Sequence, residues 1–201
     1  MSERSRRPRP AWFMIDVEAS GPTPGLYSLL SIGCVEVRDD AGQQPEIGEQ
    51  LYLELQPLYP GVRQEAIEVC GLDPERLRRE GLPPREAMAR LRSWVLERTP
   101  PGARPVFVAH NAPFDWAMVD HYFHATGVDN PFGYSALDQK ALAMGVLGIR
   151  WDDANKRVLP SLLGLPPEDR SRKHRADYDA RYQAELFVAL LARHRARAGA
   201  G

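Results

Sequence analysis

The segment WFMIDVE, residues 12–18, limits the fold more than any other stretch of the chain. It is apolar from Trp12 to Ile15 and is followed closely by SGPTPG. A short apolar run with β-branched residues, ended by a Gly/Pro cluster, reads as a strand with a loop behind it. Such a strand belongs in the middle of a sheet, yet it carries Asp16 and Glu18. Side chains at i and i+2 share a face, so both carboxylates point the same way. Two acids on one face repel each other unless a cation or a proton intervenes. Taken alone, the pair also fits a solvated surface strand. The apolar flank argues against that, because it makes the strand central.

The remaining pattern supplies partners for this strand. LLSIGCVEVR (29–38) and EQLYLEL (49–55) follow at hairpin-like spacing and suggest an antiparallel meander. PVFVAH (105–110) is apolar throughout, as strands covered on both faces are. Helices are expected over DPERLRRE, with Asp73 as N-cap and Pro74 first in the helix, and over residues 83–98, 113–127 and 176–197. SALDQKALAMGVLG reads as a short strand and a helix. The order β-β-β-α-β-α-β-α fits one α/β domain over residues 11–197 with a mixed sheet. Residues 1–10, rich in Arg and Pro, read as a flexible basic arm, and 198–201 as a short tail.

Composition narrows the classes of function. With 201 residues and 43% hydrophobic content the chain can bury one real core. Its 26 basic and 27 acidic residues leave a net charge of −1. That argues against a protein that grips nucleic acid by bulk charge alone, but not against one that handles it at a local site. Cys34 and Cys70 have no metal-ligand or redox spacing, and Cys34 reads as a core thiol. No apolar run approaches the ~18 residues of a membrane span. Nothing resembles a signal peptide, so a cytoplasmic, non-membrane protein is expected.

Two further acids stand out. Asp115 follows the apolar strand, near the start of the next helix, where the helix dipole favours an acid in any case. In HRADYDA (174–180), His174 and Asp179 are five residues apart. On one helix they would point about 140° apart, so they could not share a site. His174 is therefore expected on a loop folded over the helix start, with Asp179 inside the helix. Asp177 competes as a metal ligand, but capping suits it better.

FMIDVEASG, VAHNAPFD and HRADYDA, in this order and on these elements, resemble the DEDDh exonucleases, the DnaQ-like and RNase T-like group. The resemblance spans about residues 12–192. It implies an RNase H-like fold: a five-stranded mixed sheet, three antiparallel strands and then two parallel ones, flanked by helices. It also implies a metal-dependent 3′→5′ exonuclease that releases nucleoside monophosphates from single-stranded DNA or RNA ends. Asp16, Glu18, Asp115 and Asp179 would hold two Mg²⁺ or Mn²⁺ ions, with Asp16 bridging them. Glu18 and Asp179 would hold the ion that binds the attacking water, and His174 would be the general base.

Substrate contacts are expected from Ala19, Ser20, Gly21, Asn111 and Phe114; Arg172, Lys173 and Arg175 beside His174 fit phosphate steering, but such a run of charge is more often a solvated loop. Some members of the group pair as homodimers, which makes a dimer an expectation here too. The chain departs from the group at Ala19–Ser20, at Cys70, and in the loop IRWDDANKRV (149–158). These departures are expected to touch the substrate pocket rather than the metal ligands. Two other functions fit the same fold. One is a catalytically silent nucleic-acid-binding module, and the other is a phosphodiesterase of small nucleotide esters.

Overall fold

The computed structural model describes residues 8–40, 43–169 and 174–198. Three strands open the chain: β1 (Arg9–Ala19), β2 (Leu29–Arg38) and β3 (Glu46–Glu54). Helices α1 (Gln64–Cys70), α2 (Pro74–Glu80) and α3 (Pro84–Glu97) follow. Then come β4 (Ala103–Ala109), α4 (Ala112–Thr126), β5 (Ala136–Asp138) and α5 (Gln139–Leu147). A 3₁₀ turn at Trp151–Asp153, α6 (Leu159–Leu163) and α7 (Ala176–Ala198) complete the chain. The sheet order is β3-β2-β1-β4-β5. β1 pairs antiparallel with β2, and β2 with β3, while β1–β4 and β4–β5 are parallel. This is the expected mixed five-stranded sheet, with β1 at its centre.

The strands begin earlier than expected: β1 at Arg9 rather than Trp12, β3 at Glu46 rather than Glu49, and β4 at Ala103 rather than Pro105. Arg9 and Pro10, assigned to the basic arm, already pair with Ala103 and Arg104 of β4. The apolar criterion missed them because pairing is made by backbone, whatever the side chain. Residues 1–7 of the expected arm and 199–201 of the expected tail lie outside the described residues, as do Arg172 and Lys173, while Ala198 belongs to α7. Among the described residues, no helix is long and apolar enough to cross a membrane.

The two-residue period of β1 sorts its side chains between two layers. Phe13, Ile15 and Val17 pack with Met88, Leu91 and Val95 of α3 and with Met118, Val119 and Phe123 of α4. Met14 faces the other way, into Val35, Val106 and Val108 and against Ala180, Ala184 and Phe187 of α7. Asp16 and Glu18 continue the Met14 series, so the fold turns both toward α7. Small residues let α7 come close: Ala176, Ala180 and Ala184 are fully buried. Gly33 of β2, the partner of Asp16, sits under the first turn of α7. A Cβ there would lie 1.9 Å from the carbonyl oxygen of Ala176. Gly33 is thus what allows the helix carrying Asp179 to rest on the strand beside Asp16.

Candidate active site

Three elements deliver the four acidic residues to one cleft. Asp16 and Glu18 come from the end of β1, Asp115 from the first turn of α4, and Asp179 from the first turn of α7. The cleft has a volume of about 480 Å³ and is also lined by His110, Asn111, Phe114, Lys156, Arg157 and His174. Ligand atoms of Glu18, His174 and Asp179 lie within 4.8 Å of one another.

Asp115, Asp16 and Asp179 are each held by hydrogen bonds. Asp115 is buried, and its Oδ1 accepts from the Val17 N–H at 3.1 Å, which ties α4 to the strand between the two β1 carboxylates. The start of α4 is itself anchored by Asp138: Oδ2 accepts from Ala112 N at 3.0 Å, and Oδ1 caps α5 through Ala141 N at 3.0 Å. Gln183, one helical turn beyond Asp179, donates to Asp16 Oδ1 at 2.6 Å. The same amide accepts from His110 N at 3.2 Å. Its backbone carbonyl accepts from Gln139 Nε2 at 3.0 Å.

His174 does precede the helix and fold back over it: its N–H donates to Asp179 Oδ2 at 2.8 Å. Among the described residues, the non-glycine residues with positive φ are Asn111 (69°) and His174 (64°), and both line the cleft. Such backbone costs about 1–3 kcal/mol and collects at functional sites. Asn tolerates it best, which suits its place just before α4.

The electrostatics are those of crowded, poorly hydrated acids. Burial, with Asp179 and Glu168 nearby, pushes the Asp16 carboxyl up to about 7, although Lys156 and Gln183 act against the rise. Burial and the neighbouring Asp16 and Asp179 push Glu18 up to about 8. Asp115 is raised well above the usual carboxylate range by burial and by Asp16. His110 is lowered to about 4, by burial first and then by Lys156. Carboxylates held this way gain from any cation that can approach them. An all-oxygen set of carboxylates suits a hard divalent cation such as Mg²⁺ or Mn²⁺. The residues present therefore fit the metals that the fold implies.

The expected substrate contacts divide. Phe114 stands between the cleft and a second hollow of about 520 Å³, walled by Ala19, Gly21, Pro22, Ala66 and Val69. Phe114 is half-buried and also touches the core. Asn111 is exposed on the cleft wall. Ser20 corrects the expectation. It is buried; its hydroxyl donates to Gly61 O at 2.7 Å and accepts from Ser28 N at 2.8 Å. Its backbone N–H and C=O are bonded to Ser28 and Arg63. Ser20 therefore builds the loop rather than offering a group to a ligand.

Three other readings resolve as well. Gly21 is required by packing, since a Cβ would meet the Tyr27 ring at 2.4 Å. Cys70 does not face the hollow; it is buried with Leu30 and Leu77. Asp177 pairs with Arg175 at 2.9 Å, outside the acidic group, as a helix-start residue rather than a ligand.

The loop 149–158 corrects the reading more sharply. It was expected near the substrate, but Lys156 reaches the ligands themselves. Its Nζ lies 3.2 Å from Asp179 Oδ1 and 3.9 Å from both Asp16 Oδ1 and Glu168 Oε1. Nothing in the loop's composition singled it out. Gln183 was missed too, although its i+4 spacing from Asp179 was a usable signal.

A sheet of this order, with carboxylates from β1, α4 and α7 around one histidine, is the arrangement of the DEDDh exonucleases. The family described as Exonuclease, of the RNase T type, matches residues 13–187, and the chain belongs to it. It is 40% identical over 179 residues to the 3′-5′ DNA exonuclease Cap18 of Escherichia coli, covering 86% of this chain and 87% of the relative. It is 30% identical over 206 residues to the ribonuclease T of Marinobacter nauticus, covering 99% and 89%. Among solved structures, the nuclease domain of 3′hExo, a DEDDh family member bound to rAMP, matches with a TM-score of 0.72 at 10% identity and 93% coverage of both chains. The chain also spans 63% of a longer 3′-exonuclease solved with the histone mRNA stem-loop, with a TM-score of 0.73 at 11% identity and 90% of this chain covered.

Proposed function

We propose that this chain is a metal-dependent 3′→5′ exonuclease that removes nucleoside monophosphates from single-stranded ends. DNA is the first substrate proposed, because the 40% identical relative bears the name of a DNA exonuclease; RNA is the second. One observation carries the reading: four carboxylates from three separate elements converge with His174 on one cleft. Four acids crowded in this way are unfavourable without a cation, since burial and mutual repulsion raise three of them.

Two Mg²⁺ or Mn²⁺ ions held by Asp16, Glu18, Asp115 and Asp179 would offset charge on the scissile phosphate and favour deprotonation of the attacking water. The protein's own groups supply the rest. The His174 imidazole takes the proton of the water as it attacks phosphorus; the bond from phosphorus to the 3′-oxygen breaks, and that oxygen takes a proton from solvent while the imidazolium returns its own to solvent. Phe114 stacks the terminal base over the hollow walled by Ala19, Gly21 and Val69. Stacking is tolerant of sequence, which suits an enzyme that removes whatever nucleotide stands at the end. Asn111 on the cleft wall is placed to meet the phosphate or sugar.

The test compares wild type with Asp16→Ala on a labelled single-stranded decamer and on a nitrophenyl ester of thymidine monophosphate, both in Mn²⁺. Degradation of the decamer by wild type alone supports the proposal. Equal inactivity of both proteins on both substrates points to a binding module, and hydrolysis confined to the small ester points to a phosphodiesterase.

A further inference from the structure

Lys156 is a cation already lodged among the residues that would hold metal. It lies between α5 and α6 on a loop with little freedom. Asn155 fixes that loop: Oδ1 accepts from Arg157 N at 3.0 Å and Val158 N at 3.1 Å, while Nδ2 donates to Asp152 O at 2.7 Å. The Lys156 side chain is only 22% exposed, so its charge meets carboxylates more than water. One ammonium has three donors, and here three carboxylates surround it: Asp179, Asp16 and Glu168. A divalent ion needs the same oxygens at about 2.0–2.1 Å, bare of other cations. An ammonium 3.2 Å from Asp179 Oδ1 and a metal bound to that oxygen would be like charges at close range.

We propose that Lys156 is a built-in countercation: it holds Asp16 and Asp179 together before a divalent ion arrives and gives up Asp179 when one binds. Lys156 is then a positioning residue. Glu168, outside the ligand set, keeps the released ammonium at the wall of the cleft. Metal affinity is set by a competition within the protein, and the acidic residues stay assembled without metal. The inference rests on the metal-site reading above.

The experiment is Mn²⁺ titration calorimetry on the full chain, wild type against Lys156→Met, together with melting temperatures with and without metal. The Met variant should bind Mn²⁺ about tenfold more tightly or better, since a repulsive charge is gone. It should melt lower than wild type without metal and close to wild type with it. Unchanged or weaker Mn²⁺ binding by the variant, with wild type binding normally, overturns the role of Lys156 alone. Absence of Mn²⁺ binding by wild type overturns the metal-site reading and this inference with it.

A second measurement needs no unstable variant. The chain has three lysines, Lys140, Lys156 and Lys173, so ¹³Cε-lysine labelling gives three signals, with Lys156 assigned by Lys156→Arg. On Mg²⁺ saturation the Lys156 signal should move and that of Lys140 should stay. A Lys156 signal that does not move refutes the displacement.

Discussion

Replacing Gly33 by Ala should damage the site although Gly33 carries no chemistry. The added Cβ would lie 1.9 Å from Ala176 O, 2.3 Å from Ala176 C and 2.8 Å from Asp177 N. All three are backbone atoms, so no side chain can swing away. Close carbon–oxygen contacts settle at about 3.3–3.6 Å, so the first turn of α7 must retreat by roughly 1.5 Å. Overpacking of this kind costs about 1–3 kcal/mol. Asp179 and Gln183 ride on that helix, and a shift of about 1 Å in a catalytic group can cost roughly 100-fold in rate.

Gly145→Ala is the matched control. That glycine lies inside α5 with nothing within 4 Å of its Cβ position. Alanine there should stabilise by about 0.5–1 kcal/mol. Urea unfolding and single-strand hydrolysis in Mn²⁺ read both variants. Wild-type stability and rate in Gly33→Ala would refute the idea that this glycine seats the helix.

Two further outcomes follow from the same geometry. Metal-free protein should lose stability as pH rises. The folded carboxyls of Asp16 and Glu18, at about 7 and about 8, bind protons that the unfolded chain has released. Their contribution is complete below the unfolded values near 4 and is lost as pH passes through 7–8. Melting in chelator should therefore be higher at about pH 5.5 than at about pH 8.5, and Mg²⁺ should flatten the trend; a rise toward alkaline pH would contradict it. Gln183→Leu should lower kcat more than it changes KM, because Asp16 loses its 2.6 Å donor. It should also cost about 1–3 kcal/mol, because His110 N loses its acceptor; a variant with wild-type kcat would show that Gln183 does not position Asp16.

Much of this was legible in the sequence. The apolar flank of Asp16 placed it on a central strand, and the two-residue period put Glu18 beside it. The five-residue spacing of His174 and Asp179 required the histidine to leave the helix, and it does so with a positive φ. The supports were harder to read, because they depend on contacts between distant segments. Gly33 looked like any residue of an apolar strand until α7 was laid across it, although a glycine in a strand interior does signal close approach. Lys156 looked like one charge in a polar loop, and only the fold brings it to Asp179. Ser20 was read as open to a ligand because it follows the metal strand, yet Gly61 and Ser28 claim its hydroxyl.

The most direct test uses the same single strand labelled at its 3′ end and at its 5′ end, as DNA and as RNA, with Mg²⁺ or with chelator. The account predicts immediate release of the 3′ label as a mononucleotide and stepwise shortening of the 5′-labelled strand, both abolished by chelator. Early release of the 5′ label, internal cuts, or undiminished activity in chelator would contradict it.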